Sequence, residues 1–439
     1  MVGKYKISIR RDIYLTRLIS RKQNGLIKII TGIRRCGKSY LLNTIFYNHL
    51  LESGVDASHI IRFAFDSAFD LEAIGEDYLD PAVIKHGVDP RKFMQFIMTQ
   101  LKDSEQYYLL LDEVQNMRGF ETVLNGLLRK ENVDIYVTGS NSRCLSTDVV
   151  TEFAGRGEEI HVLPLSFSEF FGAYQESGRV AAALDDYLVY GGLPAFALME
   201  DPEQKVQYLR TQADMVYLKD IVLRYNLHSV DDLRDLVSIL ASTVASPVNP
   251  AKLSRTFSSV KHSSLSQPTI DRYISYLEDA FLVKKSRRYD VRGKQYLNTP
   301  FKVYFEDTGV RNVLLDFRQN EGPALMENII FNELRYRGFS VDVGAVIVHE
   351  HTAEMRQTEK RLEIDFVANK GSKRYYIQSA YDIPTDEKRK QEYHSFESVH
   401  DSFKKIIIVG RDMKPSRDEK GYATMGLANF LLDQNSLDA

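Results

Sequence analysis

The stretch that decides the fold is LIKIITGIRRCGKS, residues 26–39, in which a short apolar run leads directly into a glycine-rich loop. Its last eight residues match the pattern Gly-x-x-x-x-Gly-Lys-Ser. Such a loop wraps its backbone N–H groups around a phosphate, and the positive end of the following helix adds to the attraction. An ordinary glycine-rich turn is the alternative, but a strand before the motif and a helix after it favour phosphate binding. The stretch therefore predicts a nucleotide-binding core.

Each residue of this loop is a candidate for contact with the nucleotide. The predicted nucleotide-binding residues are Gly32, Ile33, Arg34, Arg35, Cys36, Gly37, Lys38, Ser39 and Tyr40. Lys38 is expected to reach the β- and γ-phosphates of ATP, and the Ser39 hydroxyl is expected to ligate Mg²⁺. The two arginines would touch phosphate or fix the loop to nearby acids. Cys36 is expected to be a small spacer, because no base stands beside it.

A second apolar run, YYLLLDE at residues 107–113, ends in two carboxylates. In a sheet covered on both faces, ligands lie at the carboxyl ends of the strands. Asp112 is therefore expected beside Mg²⁺, held through water, and Glu113 is expected to orient and deprotonate the attacking water. A solvated acidic pair at a strand end is the alternative. The glycine-rich loop upstream favours the catalytic interpretation.

Three further polar residues are candidates for contact with the γ-phosphate. The predicted strand 133–138 is followed by Gly-Ser-Asn-Ser, which makes Ser140 or Asn141 a candidate to contact the γ-phosphate or the lytic water. A simple turn explains these residues equally well. Arg156 is a candidate to neutralise transition-state charge, in cis or from a neighbouring subunit. A surface salt bridge is its alternative.

Strand and helix patterns alternate along the first third of the chain. Continuous apolar runs predict strands at 26–31, 59–65, 107–111 and 133–138, with helical periodicity between them. This pattern is typical of an α/β fold in which helices cover both faces of a parallel sheet. From residue 167 to residue 235 the pattern is mostly helical. Near residue 300 the alternation of strand and helix returns.

Composition excludes several classes of protein. The chain has 439 residues, of which 44% are hydrophobic and 27% charged, so a disordered or fibrous protein is excluded. The two cysteines provide no disulfide framework, which indicates a reducing cytoplasm. The amino terminus lacks the apolar core of a signal peptide, and no apolar run approaches the ~20 residues that span a bilayer. We therefore expect a cytoplasmic protein without membrane partners.

Several stretches together resemble a group of bacterial and archaeal AAA-type ATPases. In chain order they are TGIRRCGKS, LLLDEVQ, TGSNSRCLS, GRGEEIHVLPLSFSEF, YLVYGGLPAF, VYLKDIVLRY, TIDRYISYLEDAFLV, YFEDTGVRN and LEIDFV. The likeness covers nearly the whole chain. It implies ATP binding on Lys38, Ser39 and Asp112, with Glu113 as the catalytic acid.

The resemblance also implies a domain organisation. Members of the group carry a helical lid, a winged-helix segment and a C-terminal domain of unknown function that is similar to restriction-type nucleases. The predicted divisions are an ATPase core at 1–165, a helical lid at 166–232, a winged-helix-like segment at 233–300 and a nuclease-like α/β domain at 301–439.

Residues 251–302 form a locally basic segment. They carry eleven Lys or Arg and four acids, a balance of +7 in a chain whose formal net charge is −3. Ser-Gln-Pro-Thr at 266–269 can cap a helix, and the basic run 284–294 resembles a wing. This layout suits a helix in the major groove with phosphate contacts beside it, so DNA is a predicted partner. A winged helix used only for packing is the alternative.

The C-terminal segment predicts a nuclease-like fold with reduced cleavage. A restriction-type site needs an Asp, then an acid, then a Lys two residues later, because the carboxylates hold Mg²⁺ and the lysine activates water. Asp365 matches the first position, whereas Gln378 replaces the acid and Ala380 replaces the lysine. Glu327 and Glu363 do not obviously restore that lysine. Nucleic-acid binding, protein binding or simple packing would then be the domain's role.

The sequence therefore predicts an ATPase that binds Mg-ATP and hydrolyses it to switch a DNA-binding or partner-binding region. A nucleotide-controlled signalling or scaffold protein without DNA binding is the alternative. The overall charge of −3 favours this alternative, and a protein partner or self-association would then replace DNA. A third interpretation is an active nuclease gated by ATP.

Overall fold

The structure, a computed structural model, describes residues 9–139, 153, 155–174, 179–213, 218–261, 265–319, 321–351, 357–383 and 386–438. The chain divides into two units. The first, called the amino-terminal unit, comprises Arg10–Leu163 with Asp279–Phe281. The second, the carboxy-terminal unit, is built mainly from Pro164–Glu278 and Leu282–Ala439. The finer division into four domains stays a prediction.

A five-stranded parallel sheet forms the centre of the amino-terminal unit. Its strands are β1 Ile27–Thr31, β2 Ile60–Ala64, β3 Tyr107–Asp112, β4 Val133–Thr138 and β5 Gly157–His161. They are ordered β2-β3-β4-β1-β5. Because all five run in the same direction, their carboxyl ends meet at one edge of the sheet. The predicted α/β class is confirmed.

Helices of this unit connect and cover the strands. They are α1 Asp12–Ile19, α2 (Lys38–Tyr40, a π-helical stretch Leu41–Phe46, then Tyr47–Glu52), α3 Ala68–Ala73, α4 Pro81–His86, α5 Pro90–Gln100 and α6 Phe120–Leu127, with short 3-10 turns at Ala57–His59 and Val114–Asn116. Strands β1, β3 and β4 are buried along their whole length. Lys28 of β1 and Asp134 of β4 form an ion pair inside this buried sheet. Such a pair tolerates no slip in register, since a shifted strand would leave a charge unpaired.

The carboxy-terminal unit begins with a helical region. Its helices before the basic hairpin are α7 Phe167–Ala173, α8 Val180–Tyr190, α9 Pro202–Thr211, α10 Lys219–Tyr225, α11 Val230–Ser242, α12 Pro250–Thr256 with a π-helical stretch Phe257–Lys261, and α13 Gln267–Asp279, together with a 3-10 turn Pro194–Leu198. The later helices are α14 Thr308–Val313, α15 Gly322–Tyr336, α16 Asp386–Glu397 and α17 Leu427–Leu432. No helix among the described residues is both long and apolar enough to span a membrane.

The stretches YLVYGGLPAF and YFEDTGVRN contact each other where α8 ends and α14 begins. The buried Asp307 carboxylate accepts hydrogen bonds from the Gly192 N–H at 2.8 Å and the Val310 N–H at 2.9 Å. A Cβ atom on Gly309 would lie 1.9 Å from the carbonyl oxygen of Tyr190, so only glycine fits. Burial raises the pKa of Asp307 to about 6. These contacts join the predicted lid helices to the segment that precedes the C-terminal strands.

A nine-stranded mixed sheet completes this unit. Its strands are β6 Pro247–Val248, β7 Val283–Asp290, β8 Gln295–Phe305, β9 Ser340–His351, β10 Gln357–Lys370, β11 Lys373–Ala380, β12 Lys404–Val409, β13 Ser416–Arg417 and β14 Ala423–Gly426. They are ordered β13-β14-β12-β11-β10-β9-β7-β8-β6. The basic run predicted as a wing forms the hairpin β7–β8, and β7 pairs in parallel with β9. The hairpin and the C-terminal strands therefore share one sheet.

Candidate nucleotide-binding site

The glycine-rich loop lies between β1 and α2, at the edge where the strands end. Gly32, Arg35 and Gly37 have positive φ angles of 142°, 68° and 99°. A Cβ atom on Gly32 would lie 2.1 Å from the carbonyl oxygen of Val162, so this position excludes every other residue. Alternation of right- and left-handed backbone conformations turns successive N–H groups toward one concave side. The loop therefore has the backbone form that binds anions.

Lys38, the first residue of α2, concentrates positive charge at this loop. Its Nζ donates to the carbonyl oxygens of Gly32 at 2.9 Å and Ile33 at 3.2 Å. The Cys36 thiol donates to Val162 O at 3.3 Å and is buried. Tyr40 is partly exposed on the first turn of the helix. This contact packs Cys36 against the segment that contains Val162.

Asp112, the last residue of β3, contacts the start of α2. Ser39 Oγ donates to Asp112 Oδ1 at 3.1 Å, and Asn43 Nδ2 donates to Oδ2 at 3.3 Å. Thr138, at the end of the intervening strand β4, also donates its hydroxyl to Oδ1. Burial raises the pKa of Asp112, while the hydrogen bonds from Thr138 and Ser39 oppose that rise. The two residues predicted to hold Mg²⁺ are therefore in direct contact.

Glu113 begins the turn after β3 and is held by its neighbours. Its backbone N–H donates to Thr138 Oγ1 at 3.0 Å, and its φ of 51° places it in the left-handed region. The side-chain amide of Gln115 donates to Glu113 Oε2. These contacts fix the carboxylate beside Asp112, at the edge of the sheet that carries the loop.

Three residues of this site are absent from the sequence prediction. Asp66 follows β2, the strand beside β3; burial and the charges of Glu113 and Asp112 raise its pKa, and Arg35 lowers it. Its signal in the sequence is an acid just after the apolar run HIIRFAF. Thr138 and Asn43 have weaker signals in the sequence. Thr138 is a polar residue at the end of a strand, and Asn43 is an amide four residues after Ser39, on the same helix face.

The remaining predicted residues are Ser140, Asn141 and Arg156. Ser140 and Asn141 lie outside the described residues. Arg156 precedes β5, and its carbonyl oxygen accepts from the Ile27 N–H at 2.8 Å, at the start of β1. The loop follows the other end of β1, roughly 16 Å away at about 3.3 Å per residue. The structure therefore contradicts the prediction that Arg156 acts on the nucleotide bound to its own chain. Its action from a neighbouring subunit stays a prediction.

The donor set fits Mg²⁺ bound together with a nucleotide. Mg²⁺ prefers oxygen ligands and usually keeps waters and substrate phosphates beside one or two protein groups. The Ser39 hydroxyl and the Asp112 carboxylate are such groups. Across the described ranges no group of three or more His, Cys, Asp or Glu residues could form a metal site by itself. Phosphates of a bound nucleotide would supply the remaining oxygen ligands.

A second charged cluster lies in the carboxy-terminal unit, around Lys302 of β8. Lys302 Nζ is 2.8 Å from Glu327 Oε1, 2.8 Å from Glu363 Oε1 and 3.6 Å from Asp365 Oδ1. Its side chain is 4% exposed. Burial alone would lower the pKa of Lys302, but the three carboxylates raise it. Burial, reinforced by the Glu327 charge, raises the pKa of Asp365 to about 8.

This cluster changes the interpretation of the nuclease-like site. The sequence has Ala380 where the lysine of such a site is expected, and the residues beside it supply no amine. The structure places the Lys302 ammonium, from a strand 78 positions earlier in the chain, among the acids instead. Ala380 was expected to leave this site without a cation, and the structure corrects that expectation because Lys302 supplies one. Reduced cleavage stays a prediction, now because the ammonium and its carboxylates neutralise one another in a buried site.

Comparison with known proteins agrees with the fold of the amino-terminal unit. Residues 24–171 match the family model of an AAA domain, and residues 181–321 match a Domain of unknown function (DUF8612). An uncharacterized protein of Haemophilus influenzae is 34% identical over 410 residues, which cover 92% of this chain and 94% of that protein. The chain belongs to this family of AAA-domain proteins. The resemblance to AAA-type P-loop ATPases is thereby confirmed.

More distant similarities were also found. An uncharacterized protein of Methanocaldococcus jannaschii is 26% identical over 400 residues, 89% of this chain and 81% of that protein. The Aeropyrum pernix ORC1 protein, solved in complex with DNA, has a TM-score of 0.27 at 14% identity, covering 72% of this chain and 95% of that one. Cdc6p of Pyrobaculum aerophilum has a TM-score of 0.30 at 12% identity, covering 72% and 96%. Scores this low assign no function.

Replacing Gly32 tests the loop. In Gly32→Ala the new methyl group meets Val162 O, so we expect unfolding free energy to fall by at least about 1 kcal/mol and ATP affinity to fall with it. Urea unfolding and a fluorescent-nucleotide titration measure both. Gly126→Ala is the control: Gly126 lies in α6 with open space around it, and alanine there should stabilise by up to ~1 kcal/mol. Equal behaviour of the two variants would contradict the proposed constraint.

Replacing Lys302 tests the buried cluster. Lys302→Met leaves three carboxylates without their cation, so we expect a loss of about 3–5 kcal/mol in unfolding free energy. The control is Lys373→Met, which removes an exposed ion pair with Asp438 and should cost about 1 kcal/mol or less. Urea unfolding of both variants gives the comparison. A Lys302 variant as stable as the Lys373 variant would show that the ammonium is not needed there.

Proposed function

We propose that this AAA-family chain binds Mg-ATP at the loop 32–39, hydrolyses it, and uses turnover to switch a DNA-binding or partner-binding region of its carboxy-terminal unit. The observation that carries the proposal is the 3.1 Å contact between Ser39 Oγ and Asp112 Oδ1. It unites a phosphate-binding loop and a strand-end carboxylate at one edge of the sheet. These are the two parts that position the phosphates and the metal of a nucleoside triphosphate.

Nucleotide binding follows from the form of the loop. Backbone N–H groups of residues 33–38 would surround the β-phosphate, and the amino end of α2 would face it. Lys38, now hydrogen-bonded to the loop's own carbonyl oxygens, would turn to the β- and γ-phosphates. Ser39 and Asp112 would hold Mg²⁺, which when bound neutralises charge on the phosphate oxygens.

Hydrolysis would use Glu113 as the base. The oxygen of a water attacks the γ-phosphorus, the bond from that phosphorus to the bridging β–γ oxygen breaks, and Glu113 takes the proton. Gln115 is a positioning residue, because its amide holds one oxygen of the Glu113 carboxylate. Ser140 or Asn141 would contact the γ-phosphate. Arg156 of a neighbouring subunit would be the source of an arginine contact.

A DNA-binding role is supported by the order of elements from α11 to β8. A helix, a two-residue strand, two helices and a hairpin follow one another, with β6 and β7 both antiparallel to β8. This is the order of a winged helix, in which α13 would enter the major groove and the hairpin would contact phosphates. The local charge of +7 over 251–302 supports phosphate contact.

A second candidate, a partner-controlling switch without DNA binding, is favoured by how the unit uses its basic residues. Lys302 is buried among carboxylates, and Arg288 lies 3.9 Å from Glu363. Arg292 donates to the carbonyl oxygens of Ser398 at 2.9 Å and Ile347 at 3.2 Å. Several of the eleven cations are thus engaged inside the unit, which leaves fewer of them for phosphates.

Two substitutions separate nucleotide binding from turnover. Lys38→Ala should abolish ATP binding, because the loop loses its cation. Glu113→Gln should retain binding and slow hydrolysis by 100-fold or more, about the contribution of a general base. Phosphate release and fluorescent-nucleotide titration are the measurements, and Glu131→Gln, an exposed acid of the same unit, is the control. Unchanged turnover in Glu113→Gln would remove that residue from the mechanism.

Titration of DNA at several salt concentrations separates the two candidate functions. If the basic segment contacts phosphates, duplex affinity should fall steeply between about 50 and 200 mM salt, each neutralised phosphate contributing about −0.9 to the log–log slope. Anisotropy of a labelled duplex, with and without ATP, measures this slope. Absence of binding at the lowest salt, together with nucleotide-dependent self-association, would favour the partner switch.

A further inference from the structure

A pocket of about 600 Å³ lies beside the basic hairpin of the carboxy-terminal unit and belongs to neither charged site described above. Its walls come from the end of α13 and from β7, β8, α15 and the start of β9. The charged side chains that line it are Lys284, Lys285, Arg287, Arg335, Glu278 and Asp342. Four cations against two carboxylates give the lining a positive balance, which favours an anionic ligand.

The four cations of the pocket differ in how accessible they are to a ligand. Lys285 Nζ lies 3.2 Å from Glu278 Oε2, and Arg335 Nη2 donates to Glu306 Oε1 at 3.0 Å, so both have close partners inside the unit. The Lys284 side chain is 50% exposed and lies 3.7 Å from Glu278. Arg287 is also exposed. Lys284 and Arg287 are therefore the charges that a ligand in the pocket could meet from solvent.

An exposed aromatic ring stands beside these cations. Tyr296 of β8 lines the pocket and is 53% exposed. Its hydroxyl donates to Asp342 Oδ2 at 3.0 Å, and its ring meets Tyr289 edge-on with centroids 5.4 Å apart. Two contacts thus hold the orientation of a large side chain that remains open to solvent. A fixed, exposed ring of this kind is a platform on which unpaired bases stack.

We propose that this pocket binds one unpaired nucleotide of a nucleic-acid strand, with Tyr296 stacked on the base and Lys284 and Arg287 contacting the flanking phosphate. This inference rests on the proposed DNA association and narrows it to a single-stranded segment. The faces of bases inside a duplex are covered by their neighbours, so only an unpaired base is free to stack on the ring. The volume exceeds the need of a lone phosphate ion.

The test measures anisotropy of a labelled twelve-nucleotide oligothymidylate with the full chain, without ATP. Arg287→Gln and Tyr296→Ala should each weaken binding about tenfold, and Tyr296→Phe should stay within about twofold because it keeps the ring. Lys294→Gln is the matched control, an exposed cation of the same hairpin that is not part of the pocket lining; it should change affinity by about twofold or less.

The outcomes separate this inference from the proposed function. If oligothymidylate binds equally well to Arg287→Gln, Tyr296→Ala and the unmodified chain, the proposal that the pocket binds the strand is overturned. The proposed DNA association is left intact by that result. If thymidine monophosphate competes as strongly as the oligonucleotide, the pocket is a site for a small nucleotide. The proposal that it binds a nucleic-acid strand would then be overturned. Failure to bind either oligothymidylate or duplex at low salt would overturn the pocket together with the DNA-binding half of the proposed function. ATP hydrolysis is measured separately and is unaffected by these results.

Discussion

A single buried carboxylate, Asp112, joins the parts of the nucleotide site. It accepts hydrogen bonds from α2 through Ser39 and Asn43, and from β4 through Thr138. A buried carboxylate is costly unless such donors surround it, so the helix after the loop and the two strands must keep one relative position. The same donors that satisfy Asp112 therefore fix the geometry in which Ser39 faces the phosphate-binding loop.

The sequence was most informative where burial is continuous. The apolar runs that predict β1 to β4 correspond to strands with the same limits to within one residue. β1, β3 and β4 are central strands covered on both faces, and the edge strand β2 is mostly apolar as well. β5, with the sequence GEEIH, was not predicted because this edge strand is mostly polar and only its Ile160 is fully buried. Asp66 was not predicted because it follows β2, whereas Asp112 ends the neighbouring strand β3. Residues at the ends of two neighbouring strands share no pattern along the chain.

The C-terminal sheet shows the limit of reasoning from spacing. A motif search looks for a lysine two residues beyond an acid, and it finds Ala380. The ammonium comes instead from β8, which is separated from β10 by β7 and β9 in the sheet order. Its Nζ nevertheless lies 2.8 Å from Glu363 and 3.6 Å from Asp365. The distances between side chains, and not the spacing along the sequence, show that the acids and the amine form one cluster.

Val162 links the phosphate-binding loop to the exit of the polypeptide from the amino-terminal unit. Its carbonyl oxygen accepts from the Cys36 thiol and closes the space above Gly32, while its N–H donates to Thr31 O at 2.8 Å. The chain leaves the unit after the next residue. A change in loop shape at Gly32 therefore meets the backbone of Val162, two residues before Pro164, where the chain passes into the carboxy-terminal unit.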